Sequence, residues 1–188
     1  MTLEGLTRCH WCGDDSLYVD YHDNEWGIAV YDDQRLFECL CLEGAQAGLS
    51  WITVLRKREQ YRKVYHQFNI EAVSQMSDEE LEEILKDPGV IRNRLKVYGF
   101  RKNAQALLNN FADKGAFSQY LWSFVEGKTI VNRYKQGQSY PTTSTQSDAM
   151  SKALKKLGFT FVGSTICYAF MQAVGMVDDH APDCFRAK

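Results

Sequence analysis

From Asp33 to Val174 apolar residues return at helical spacing, and nowhere in the 188 residues does an apolar–polar alternation run long enough to make a strand. Leu36, Leu40 and Glu43 share one face of the segment from Asp33 to about Gly48, and Val54, Tyr61 and Tyr65 share one from Ser50 to about His66. Ser77 and Glu80 form a capping-box pattern ahead of Leu81, Ile84 and Leu85, and Pro88-Gly89 closes that helix. Helices are also expected from Ile91 to about Ala112 and from Phe117 to Val125. Met150, Ala153, Leu154 and Leu157 then repeat at i, i+3, i+4 and i+7. The chain is therefore expected to be all-α, a helical bundle of about seven or eight helices forming one domain over residues 1–188. The stretch from Gly127 to Ser144 is its longest polar connection.

A hydrophobic content of 45%, with 13% aromatic residues, supplies a sizeable core and excludes an intrinsically disordered chain. The opening MTLEGLTRCHWCGDD has no apolar h-region, and no run of 18 apolar residues occurs, so a cytoplasmic protein without a membrane span is expected. A net charge of −2 argues against a uniformly basic nucleic-acid binder. Charge is segregated, however: SDEELEE (77–83) is acidic, whereas RKREQYRK (56–63), IRNRLK (91–96) and SKALKK (151–156) are basic. Each run by itself reads as a solvated helix face; several facing one way would make a binding surface.

The two ends carry a different signal. DDHAPDC places His180 and Cys184 four residues apart, half of a metal-site spacing, on a tail that would otherwise fray. Cys39, Cys41 and Cys167 sit in apolar runs and read as small buried hydrophobes, which leaves Cys9, Cys12 and Cys184 near the termini. In a reducing compartment a metal suits such cysteines better than a disulfide.

Two further segments bear on chemistry. In LKKLGFTFVGSTICYAFMQAVG (154–175) a helix ends at Gly158, and an apolar helix begins near Ser164 or Thr165, just after Gly163. Such a segment is either an ordinary αα-hairpin or one whose second helix offers free amides to an anion such as phosphate. In CLEGAQAGLSW (41–51) Glu43 stands on an apolar face with small residues beside it, where a carboxylate costs several kcal/mol unless partnered. Trp11, Tyr18, Tyr21 and Trp26 crowd the region around YHDNEWG. Aromatics at this density are usually core; beside an acid they would also suit a flat cationic ring.

Taken together, YHDNEWG, CLEGAQAGLSWITVLRKRE, SDAMSKALKKLGF and FVGSTICYAFMQAVG resemble the 3-methyladenine DNA glycosylase I family, from about Arg8 to Cys184. The resemblance implies a helix-hairpin-helix DNA glycosylase fold, with the hairpin at about 147–175 and the termini, 8–26 and 176–188, tied by a structural zinc ion. It implies Cys9, His22, His180 and Cys184 as the ligands; RCHWC also offers Cys12, and spacing alone would permit it in place of His22. Glu43 resembles the acid that reads the flipped base and favours its positive charge, a recognition residue first and a catalytic one second. Tyr18, Tyr21 and Trp51, with Trp11 and Trp26 close by, look like the base-binding rings. Gly48 and Leu49 resemble the turn that presses into the DNA stack. Gly158, Phe159, Gly163, Ser164 and Thr165 belong to the segment that resembles the DNA-gripping hairpin, and Lys152, Lys155 and Lys156 are candidates for phosphate contact. Asp178 stands where related glycosylases carry a catalytic acid, or else serves as a helix-end group beside His180.

The implied activity is hydrolytic excision of 3-methyladenine from double-stranded alkylated DNA, starting base excision repair, by a monofunctional enzyme, expected to be a monomer, that releases the free base. Two other readings stay open on the residues alone: a non-catalytic protein that binds alkylation damage on the same fold, and a zinc-stapled pocket for a free cationic ring. Release of a base separates the first, and a steep salt dependence of DNA binding separates the second.

Overall fold

The computed structural model describes residues 5–134, 138 and 140–187; the first four residues, Lys188 and positions 135–137 and 139 of the polar connection lie outside the described residues. Ten α-helices account for most of the rest, in the order α1 (Ser16–Asn24), α2 (Asp33–Gln46), α3 (Trp51–Leu55), α4 (Arg58–Val64), α5 (Ile70–Ser74), α6 (Asp78–Lys86), α7 (Arg94–Asn110), α8 (Ala116–Ser123), α9 (Thr145–Lys156) and α10 (Ser164–Ala173). None of them is long and apolar enough to cross a membrane.

The mostly helical expectation holds, with more and shorter helices than the periodicity suggested. The stretch read as one helix from Ser50 to about His66 breaks into α3 and α4, because the Lys57 amide tightens to a bond with the Val54 carbonyl. One-turn helices such as α5 are too short to show a period. Ser77 and Glu80 close the capping box that was read from their spacing. A second box at the start of α9 pairs Ser144 with Ser147. Among the described residues, the one strand pairing is two residues long and parallel, β1 (Ile130–Val131) with β2 (Val177–Asp178), and it ties the polar connection to the C-terminal segment. Two residues carry no legible alternation.

Helix α2 is the centre of the molecule. Leu36, Phe37, Leu40 and Cys41 are buried on it, and it packs against α3, α7, α8 and α10. Asp33, in its first turn, accepts hydrogen bonds from the Gly115 and Ser118 amides at 2.6 and 2.8 Å, so α2 also caps α8. Helix α10 supplies the facing wall with Cys167, Phe170 and Met171, all buried. This sandwich holds the far end of α2, with Glu43, against α1 and the C-terminal segment.

Candidate functional site

Helix α1 contributes to two adjoining buried clusters. Asp15 caps it, accepting from the Leu17 and Tyr18 amides at 3.1 and 3.2 Å, and so sets the turn on which Tyr18, Tyr21 and His22 fall. Tyr18 and Tyr21 face a cavity of about 270 Å³. His22, one turn beyond Tyr18 on the same side of the helix, belongs to a group of Cys and His side chains that shares the Trp11 and Trp26 rings with the cavity.

The cavity brings together every residue that the resemblance assigned to base binding: Trp11, Tyr18, Tyr21, Trp26, Glu43 and Trp51. Trp11 meets Tyr18 at 5.0 Å and Trp26 at 4.9 Å between ring centroids, and Tyr21 meets Trp51 at 5.4 Å. Glu43 is 4% exposed. None of the described residues donates a hydrogen bond to its carboxylate, and burial alone pushes its pKa up to about 8. At neutral pH the Glu43 carboxyl is therefore largely protonated. Burial first, and the Glu43 charge second, keep the Tyr18 and Tyr21 phenols protonated and able to donate. The Trp51 indole Nε1–H is buried without a partner among the described residues. An orphaned donor of this kind is unfavourable by about 1–3 kcal/mol, and an acceptor on a ligand would satisfy it.

Sequence reasoning missed five lining residues: Gln46, Tyr140, Ala169, Gln172 and Asp179. Gln46 stands one turn beyond Glu43 on α2, and Ala169 and Gln172 share a face of α10, so helical spacing could have found them. Tyr140, 42% exposed at the mouth, comes from the polar connection and had no such signal. Asp179 accepts from the Tyr168 hydroxyl, the Gln172 amide and the Asn132 amide at 2.7, 2.7 and 2.8 Å. Its neighbour Asp178 does not line the cavity. Burial would raise the Asp178 carboxyl, but Arg133, at 3.0 Å, and the His180 amide, at 3.1 Å, hold it below the usual range. Asp178 thus lies in β2 beside His180, away from the end of α10 and away from the cavity.

In the adjoining group, donor atoms of Cys9, His22, His180 and Cys184 all lie within 4.8 Å of one another, and all four residues are buried. Cys9 Sγ is 3.4 Å from His180 Nδ1, and Cys184 Sγ is 3.4 Å from His22 Nε2 and 3.6 Å from His180 Nδ1. A tetrahedral zinc ion with Zn–S near 2.3 Å and Zn–N near 2.0–2.1 Å spaces neighbouring S and N ligands roughly 3.5–3.6 Å apart, so the donor set fits such an ion. The surroundings fit as well. Asp23 meets His22 Nδ1 at 2.8 Å and so orients the ring. The Ala181 and Arg186 amides point at the Cys9 and Cys184 sulfurs, at 3.3 and 3.5 Å. Burial lowers both histidines, His180 to about 4, so each is neutral as a ligand must be. Gly27, at φ +77°, is required here: a Cβ would come within 2.8 Å of His180 Nε2. Cys12 stands apart from the four, its thiol directed at the Cys9 carbonyl at 3.2 Å.

The candidate DNA residues occupy two loops. Gly48, at φ +79°, and Leu49, 39% exposed, form the turn between α2 and α3, which Gln46 closes by donating to the Leu49 carbonyl at 2.6 Å. Gly158, at φ +94°, ends α9, and Gly163 caps α10, whose first-turn amides, with Ser164 and exposed Thr165, have no intrahelical acceptor. Phe159 departs from its expected place: its ring is 3% exposed and stacks on Phe117 at 5.8 Å, so only its backbone can reach a ligand. The basic runs sort themselves in a similar way. Arg56, Arg58 and Arg62 are held by Asp15, Glu25 and Glu38, whereas Lys152, Lys155 and Lys156 are exposed beside Gly158 without an ion pair among the described residues.

The family model for methyladenine glycosylase matches residues 11–187. A DNA-3-methyladenine glycosylase of Haemophilus influenzae is 51% identical over 178 residues, covering 95% of this chain and 96% of that protein. A crystal structure of a 3-methyladenine DNA glycosylase I superposes with a TM-score of 0.94 at 48% identity, over 97% of this chain and 100% of the other. A variant of a 3-methyladenine DNA glycosylase I in complex with 3-methyladenine superposes with a TM-score of 0.91 at 34% identity, over 96% and 97% of the two chains.

Proposed function

This chain belongs to the methyladenine glycosylase family, and we propose on that basis that it is a hydrolase excising 3-methyladenine from DNA, the first step of base excision repair. The observation that carries the mechanism is the cavity of aromatic rings around a buried, donor-free Glu43.

Adenine methylated at ring position 3 is cationic while bound to the sugar, so cleavage of the glycosidic bond sends the bonding electron pair into the ring and expels a neutral base. Water then forms the new bond to the sugar carbon and loses its proton to solvent. No general acid is needed. The protein's work is to flip the nucleotide, hold the ring and shield the bond, and a damaged base unstacks at lower cost than an intact one. Tyr21, Trp51 and their neighbours give stacking of about 1–3 kcal/mol per base with little selectivity between bases. Selectivity falls to Glu43. A cationic ring entering the cavity lowers the Glu43 pKa from about 8, so the acid ionises as the ligand arrives, and a neutral base offers no such gain.

The segment from α9 to α10 is the helix-hairpin-helix element in this reading. The Gly158–Gly163 turn and the first amides of α10 grip a backbone phosphate, flanked by Lys152, Lys155 and Lys156. Leu49 is the wedge that fills the stack when the base has left. Cys9, His22, His180 and Cys184 hold a zinc ion with no position open to water, a structural site that staples the two termini. Asp178 acts in positioning His180 and the connection through Arg133, outside the chemistry.

The test is chromatography of the bases released from methylated DNA by purified protein. Release of 3-methyladenine with 7-methylguanine left in place is the expected result; binding of the DNA with no base released would replace the enzyme by a damage-binding protein.

A further inference from the structure

We infer that one stripe of α7, formed by Lys96, Gly99 and Asn103, is the frame that sets the Gly48–Leu49 turn and the α9–α10 hairpin against one another, so that Lys96 and Asn103 are positioning residues for work on duplex DNA. The inference rests on the glycosylase reading and adds to it residues that lie outside the base cavity. The three recur at i, i+3 and i+7, which places them along one side of the helix.

Lys96 holds the first loop. It is 8% exposed, and its Nζ donates to the Ala45 and Ala47 carbonyls at 2.8 and 2.7 Å. These are carbonyls at the end of α2 that the helix itself leaves without donors. An ammonium suits a helix C-terminus electrostatically. Among the described residues no carboxylate pairs with Lys96, so its charge is spent on defining where α2 stops and the Gly48–Leu49 turn begins.

Asn103 and Gly99 hold the second loop. The Asn103 side-chain carbonyl accepts from the Thr160 amide at 2.8 Å, and its amide donates to the Thr160 carbonyl at 3.1 Å. The next residue, Phe161, sits at φ +56°, a left-handed backbone that a bulky aromatic adopts only when its surroundings impose it. The surroundings are two glycines. A Cβ on Gly99 would stand 3.3 Å from the Phe161 ring, and one on Gly44 would stand 3.0 Å from the Phe161 Cβ. Phe161 is thus clasped between α7 and α2, against the residue that follows Glu43.

Both loops act on the same duplex, one on a phosphate and one on the base stack, so their separation matters more than the conformation of either. A misplacement of about 1 Å can lower a rate about 10²-fold. Three readouts on Lys96→Met and Asn103→Ala test the frame: affinity for duplex DNA with a tetrahydrofuran abasic site by anisotropy, single-turnover release of 3-methyladenine from methylated duplex, and affinity for free 3-methyladenine by tryptophan fluorescence. Both variants should lose about 10²-fold in release, with weaker duplex binding, while free-base affinity stays within about twofold. Unchanged duplex binding and release in variants that melt as the wild type does would overturn the inference. A parallel fall in free-base affinity would do the same, because it would mean general damage to the fold. Should Lys96→Met not fold, Asn103→Ala answers alone. Wild-type protein in the same assay separates the two claims: no base release by it sinks the activity, with the duplex-affinity arm still testing the frame.

Discussion

The two clusters that share α1 are both buried, both rich in titratable groups and built partly from the same nine-residue helix, yet they are opposites. In one, Cys9, His22, His180 and Cys184 face one another, and amides or carboxylates from Ala181, Arg186 and Asp23 complete their surroundings. In the other, Glu43 has no donor and the Trp51 indole N–H no acceptor among the described residues. A cluster whose partners are all internal stabilises the fold. One that keeps buried polar groups unmatched by the protein leaves them to whatever enters the cavity, and a ligand that pairs them gains by it. The difference locates binding on one side and stapling on the other.

The sharpest break of that comparison is on the stapled side. On the proposed zinc site, metal analysis of wild-type protein should find one zinc per chain, and Cys184→Ser should lose it. Because binding energy at a structural metal is folding energy, the melting temperature should fall by roughly 10 °C. A variant that kept its metal would move the site elsewhere, with Cys12 the first alternative ligand.

On the open side Glu43→Gln should move activity and stability in opposite directions. Losing a charge-assisted contact to the ring should lower kcat/KM by about 10- to 100-fold. Stability should rise instead. The folded-state pKa of about 8 lies above the ordinary 4.5, so folding favours the neutral acid. Wild-type protein then loses stability as pH climbs from about 4.5, and the loss levels off above about 8. Glutamine escapes that loss, about 5 kcal/mol at its upper limit, and denaturant melts at pH 5 and pH 9 should show a much larger gain at the higher pH. A Glu43→Gln protein that was destabilised at pH 9 would show that the carboxylate has an internal partner after all.

The same pKa predicts the pH profile. If the ionised acid is what the cationic base requires, kcat/KM falls tenfold per unit as pH drops below about 8 and is flat above it. The profile of kcat should be flatter, since bound cation lowers the pKa, and Glu43→Gln should lose the acidic limb altogether. The smallest effect on chemistry is expected from Asp178→Asn: base release by folded protein within about twofold, with stability lower by about 1–2 kcal/mol through the weakened Arg133 contact. A large fall in single-turnover release without a fall in stability would return Asp178 to the reaction.

Local sequence determined the helical class, because period and caps are written within a few residues of each other: Leu36 and Leu40 on one face, or Ser77 with Glu80 at a helix start, need no knowledge of the rest of the chain. The motif around Glu43 and the His180–Cys184 spacing likewise announced chemistry before any contact was known. Only tertiary structure decided which groups meet. Cys12 and His22 compete for one ligand place in the sequence, and the fold brought His22 beside Cys184 while Cys12 turned to the Cys9 carbonyl. Arg56, Arg58 and Arg62 read as a basic face until Asp15, Glu25 and Glu38 arrived from other segments to neutralise them, whereas Lys152, Lys155 and Lys156 met no such partners among the described residues. Asp178 and Asp179 are adjacent, and the pairing of β2 with β1 sent one to Arg133 and the other to the cavity wall. Tyr140 and the Lys96–Gly99–Asn103 stripe left no trace in local pattern. Their significance lies in neighbours tens of residues away, and a chain's short-range preferences carry no information about distances that only packing creates.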